Sequence, residues 1–96
     1  MSWLDEQPQQ RRAAIDRVLG SEDGQRYLVH AGADRDFAGW LLVADALCIR
    51  RVRVSIFDIA DWAWRDAYDD GMKPGDALRE ALRADDTFAS MFGGRE

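Results

Sequence analysis

Cys48 and His30 are the only thiol and the only imidazole in this chain of 96 residues, and most side-chain chemistry has to begin with them. A structural zinc site needs about four Cys, His or carboxylate ligands, which argues against one here. A Cys–His nucleophile pair needs an exposed Cys48 with His30 beside it. Cys48 instead falls with Phe37, Leu41 and Ala44 on one side of a helical pattern, which predicts a buried, inert thiol. Asp66, Asp69 and Asp70 before Gly71 invite comparison with a calcium loop. With Gly71 at the sixth position, Tyr68 falls at the third and Ala77 at the twelfth, where oxygen ligands are required. Gly20, Gly24 and Gly32 are spaced as helix punctuation, not as a phosphate loop. Asp58 and Asp61 would be the remaining acid/base pair, but Asp58 has a capping role and paired aspartates on a helix surface are usually just solvated. The residues predict no catalytic site, no cofactor and no metal, hence a protein that is not an enzyme.

The chemistry that remains is recognition. Ser55–Gly71 reads as one amphipathic helix, with Ile56, Ile59, Ala60, Ala63, Trp64 and Ala67 on one face and Phe57 and Tyr68 at its edge. Asp58, Asp61, Arg65, Asp66 and Asp69 lie opposite, and Trp62 falls among them. A large aromatic on a charged face predicts burial against something beyond the helix's own core. Trp and Arg are over-represented among binding hot spots, so Trp62, Arg65, Asp58, Asp61, Asp66 and Asp69 are the expected partner-binding residues. The competing assignment for Trp62 is a further packing position, covered by the N-terminal segment or by Phe88–Phe92.

Composition sets the bounds. The length supports a single domain with one core. A net charge of −5 disfavours binding that rests on phosphate neutralisation, so a protein partner is expected and a nucleic acid is not. A single cysteine permits no internal disulfide and suits a reducing compartment. The N-terminus lacks the basic and apolar regions of a signal peptide, and Phe37–Ile49 is too short to span a bilayer. A cytoplasmic protein with no membrane partner is expected, and homo-oligomerisation is left open.

The elements that must position these residues are short helices. The first runs from about Pro8 to Leu19, carries Ile15, Val18 and Leu19, and stops at Gly20. Trp3 and Leu4 are placed to fold back onto the domain. Ser21 starts a second helix with Tyr27, Leu28 and Ala31, for which a strand at Arg26–His30 is the alternative. The third, about residues 36–51, is apolar nearly all round and predicts a buried centre. Asp45 interrupts it and should be met by an Arg or a Trp N–H. Ser55 and Asp58 resemble a capping box, Val54 and Ile59 a hydrophobic staple, and Gly71 with Met72 a Schellman end. Pro74 opens a helix burying Ala77, Leu78, Ala81 and Leu82, and Asp85 or Asp86 caps a last turn with Phe88, Met91 and Phe92. The predicted class is all-α: a compact single domain of five or six short helices around a buried central helix.

Arg50, Arg51 and Arg53 before Ser55–Tyr68 also suggest a helix-turn-helix regulator gripping duplex DNA. The would-be recognition helix exposes several carboxylates and one cation, Arg65, so it would repel the duplex. The arginines read better as partners for aspartates.

The segment from about Val54 to Phe92 resembles a pattern in small uncharacterised proteins of actinobacteria and their phages. The residues carrying it are Asp61-Trp62, Trp64-Arg65-Asp66-Ala67-Tyr68, Gly71-Met72-Lys73-Pro74, Ala77, Glu80-Ala81-Leu82 and Asp85-Asp86-Thr87-Phe88. The preference for Arg over Lys, with Lys73 the only lysine, suits a GC-rich coding genome of that kind. The resemblance implies a phage accessory role and supplies no functional residues. Together the readings predict a small interaction or regulatory protein that modulates a host factor.

Overall fold

A computed structural model describes residues 3–59 and 62–85. Among them are five α-helices, three short 3₁₀ turns and no strand: α1 (Gln9–Leu19), α2 (Gln25–His30), α3 (Arg35–Val52), α4 (Trp64–Asp69) and α5 (Pro74–Ala84). The all-α prediction holds, and Arg26–His30 is helix. Contacts divide the chain, within α3, into two compact units, Met1–Leu42 and Val43–Glu96.

In the first unit Pro8 precedes α1, and its carbonyl accepts the first helical bond, from the Arg12 N–H at 2.9 Å. Ile15 and Leu19 are buried. Gly20 closes α1 in a right-handed conformation, and the Ser21 hydroxyl turns back to the Val18 carbonyl at 2.6 Å. Ser21 thus finishes α1 with its side chain and does not cap α2 with it. Gly24 is the glycine the turn requires, since a Cβ there would lie 1.9 Å from the Val18 carbonyl oxygen. The N-terminal segment does fold back: the Leu4 N–H donates to Asp36 Oδ1 at 3.0 Å. A methyl on Gly39 would meet Ile15 at 3.0 Å and Leu4 at 3.5 Å, so helix and segment are in close contact.

α3 opens on Asp34, whose Oδ1 accepts the Phe37 N–H at 3.2 Å, so the helix begins at Arg35, one residue before the start the periodicity suggested. Phe37, Trp40, Leu41, Ala44, Asp45 and Cys48 are buried along the helix. The opposite stripe opens to solvent at Ala46 and at Ile49, which is 46% exposed, so the burial expected all round is confined to one broad side.

In the second unit α5 follows its pattern: Pro74 occupies the first turn, and Ala77, Leu78, Ala81 and Leu82 are all buried. α4 packs against it. Gly71, at φ 84°, ends α4 as a Schellman turn, with the Gly71 N–H on Tyr68 O and the Met72 N–H on Ala67 O, both at 3.0 Å. The expected last turn with Asp86, Phe88, Met91 and Phe92 lies outside the described residues.

The long helix predicted over Ser55–Gly71 is not formed. Its place is taken by a 3₁₀ turn (Ile56–Asp58), an extended Ile59 (ψ 171°), and then the six-residue α4. Ile, Phe, Trp and Asp have weak helix propensity. Asp45, 1% exposed, accepts the Ser55 hydroxyl at 2.7 Å and the Ile56 N–H at 2.9 Å, pinning the turn where a helix would begin. A buried carboxylate held by charge-assisted hydrogen bonds outweighs a few tenths of a kcal/mol of local preference. Ser55 does cap, but it takes the Phe57 N–H at 3.2 Å, two residues on, not that of Asp58 as a capping box would.

Candidate interaction surface

The turn at Ala63 determines how Trp62 is presented. Ala63 has φ −81° and ψ 66°, and the Trp64 N–H bonds the Trp62 carbonyl at 2.8 Å, which is an inverse γ-turn. So tight a reversal brings the two indoles together, edge to face, with ring centroids 5.0 Å apart and planes at 69°. Trp64 is buried, whereas Trp62 is half-buried. Helical phase correctly separated the two residues, but the geometry that exposes Trp62 is a turn rather than a helix face.

One helical turn further on, Arg65 lies over the Tyr68 ring, 5.5 Å from its centroid, and its Nε is 3.3 Å from Asp69 Oδ1. The pair is i,i+4 and half-exposed, so it orients Arg65 more than it stabilises the fold. Arg65, Asp58, Asp66 and Asp69 are exposed, and Asp61 lies outside the described residues. The structure therefore places Trp62, Arg65 and Asp69 in one short stretch with half-buried Tyr68 among them. Tyr68, assigned from the sequence to the edge of the buried face, belongs with this cluster. Its i,i+3 spacing from Arg65 was the available signal.

The residues considered for other chemistry are equally clear. Cys48 is fully buried. Burial pushes its thiol up to about 11 from an ordinary 9.0, and the charge of Asp45 one turn earlier adds to this. It is therefore neither exposed nor deprotonated, as a nucleophile would need to be. Among the described residues, no three His, Cys, Asp or Glu side chains are grouped to hold a metal ion. No helix among them is long and apolar enough to cross a membrane. Arg50, Arg51 and Arg53 are exposed, with Arg53 in the left-handed region at φ 67°. Among the described residues, the recognition helix expected over Ser55–Tyr68 is represented only by the 3₁₀ turn and the first residues of the six-residue α4.

No protein-family model and no solved structure matches the chain. Among curated proteins, the Gene 87 protein of Mycobacterium phage L5 is 37% identical over 46 residues, covering 48% of this chain and 87% of that protein. Its name states a gene and no activity, so the match leaves chemistry to the side chains described above. The chain belongs to the family of this mycobacteriophage gene product.

Proposed function

We propose that the protein is a small, non-enzymatic interaction protein, phage-encoded, that modulates a host factor through the surface around Trp62. The observation that carries this reading is the partly open indole of Trp62, edge to face with buried Trp64 and followed by Arg65 over Tyr68. A rigid aromatic anchor beside an oriented arginine, with exposed Asp58, Asp66 and Asp69 at its margin, has the composition of a binding hot spot and its polar rim. The aspartates favour a basic partner surface.

The test is capture from mycobacterial lysate by the immobilised chain, followed by identification of the captured protein and direct titration against it. Trp62→Ala should abolish capture while leaving the chain folded. Changing Arg50, Arg51 and Arg53 together to Ala should preserve it. A sequence-dependent shift of duplex DNA, lost on those arginine changes and indifferent to Trp62, would replace this reading with a transcriptional regulator.

A further inference from the structure

We infer that a second site, separate in its residues from the Trp62 surface, binds a short acidic peptide segment carrying an apolar residue. In the second unit an open cleft of about 410 Å³ is lined by Leu47, Arg50 and Arg51 of α3 and by Gly75, Leu78 and Arg79 of α5. That volume lies within the roughly 300–1,000 Å³ of small-ligand pockets. It holds a few side chains and no folded domain.

The lining specifies the occupant. Leu47, Arg50 and Arg51 are spaced i, i+3, i+4 and so share one face of α3. Leu78 is buried and Leu47 half-buried, giving an apolar floor, while the three arginines are exposed. Gly75 keeps the opposite wall low: even a methyl there would stand 3.7 Å from Leu47 Cδ1. An apolar floor with guanidinium groups at its margin suits an apolar side chain flanked by carboxylates, which arginine binds in a bidentate fork. A bare phosphate would use the forks and none of the floor. A long polyanion would be opposed beyond the cleft. Along α5 Arg79 is itself shared with Asp76 at 3.7 Å, a half-exposed pair weak enough for a ligand carboxylate to displace, and Glu80 lies 3.6 Å from Arg83, so the positive charge is bounded on that side. The chain as a whole carries −5. A short ligand gains the arginines without meeting that wider field.

A surface-displayed library of random twelve-residue peptides, selected against the full chain, tests the assignment. Selected sequences should share an apolar residue with Asp or Glu on either side. A synthetic peptide of the selected sequence should bind about tenfold more weakly on Arg50→Gln and again on Arg79→Gln, with melting temperatures unchanged. Trp62→Ala should leave its affinity unaltered, so this site and the aromatic surface stand or fall separately. The inference is overturned if selection yields no binder or only sequences lacking carboxylates. It is equally overturned if the peptide is indifferent to both arginine changes, is lost on Trp62→Ala alone, or is displaced by inorganic phosphate or a duplex oligonucleotide at equal concentration.

Discussion

The turns at the two ends of α3 do the same geometrical work by different means. Each places a non-glycine residue in the left-handed region, Ala33 at φ 70° before the helix and Arg53 at φ 67° after it. The leading turn is closed locally. The Gly32 and Ala33 N–H groups return to Val29 and Leu28 at 3.2 and 2.8 Å, and Asp34 caps the helix three residues on. The trailing turn is closed from a distance. Beyond the Arg53 N–H on Ile49 O at 2.9 Å, its bonds run from Ser55 and Ile56 back to buried Asp45, 10 and 11 positions earlier. A local turn needs only its own residues. The trailing one also needs α3 to be formed with its Asp45 carboxylate in place, and it sets where the segment bearing Trp62 begins.

The sharpest way to break this comparison is Asp45→Ala. It leaves the buried Ile56 N–H without this acceptor and removes two hydrogen bonds to a charge, a loss of about 3 kcal/mol. Asp45→Asn keeps one acceptor and should lose roughly half as much. Because Asp45 anchors the start of the Trp62 segment, Asp45→Ala should also shift Trp62 fluorescence, read in a background where the other tryptophans are Phe. Denaturant unfolding with wild-type stability in both variants would show that the trailing turn, too, is held locally.

Cys48 reports on the same buried patch through pH. Its folded thiol keeps a proton to about 11, while an ordinary thiol releases it near 9.0. Between those values the unfolded chain loses a proton the folded chain keeps. Stability should therefore be level with respect to this group below pH 9 and fall as pH rises towards 11, by up to about 2–3 kcal/mol. Subtracting the curve for Cys48→Ala, in which the same tyrosines and lysine titrate, isolates the effect. A difference curve flat to pH 11 would mean the thiol is hydrated in the folded chain.

At the leading turn the expected loss is smaller. Asp34→Ala removes an N-cap and should cost about 1 kcal/mol, with Asp34→Ser nearly neutral. If Asp34→Ala cost as much as Asp45→Ala, the distinction between local and distant closure would fail.

How far each region was legible in the sequence depends on the same distinction. α5 and the Gly71 turn could be read because Pro74, the Ala77–Leu82 stripe and Gly71 carry their instructions locally. That Asp45 is buried was readable from its apolar neighbours. Its bonds to Ser55 and Ile56, and hence the break in the predicted helix, were not, because no periodicity encodes a side chain reaching ten residues ahead. Trp62 was singled out by phase on a helix that does not exist there; the identity of the residue carried the inference. The cleft shared by Arg50 and Arg79 was invisible for the same reason, since it depends on how α5 lies against α3.

The smallest expected effect tests whether the two turns share a strain. A residue with a Cβ in the left-handed region is disfavoured by roughly 1 kcal/mol, which glycine avoids at the cost of a more flexible unfolded chain. Ala33→Gly and Arg53→Gly should therefore each stabilise by about 0.5 kcal/mol or less, and by similar amounts, since φ is nearly the same at both. Paired with Asp45→Ala, the two should diverge. With the distant anchor gone, the trailing turn is no longer held at that φ, so Arg53→Gly should lose its benefit while Ala33→Gly keeps it. Equal gains in both backgrounds, measured by denaturant midpoint, would show that Arg53 is held left-handed by its own Ile49 bond and that Asp45 acts only on Ser55 and Ile56.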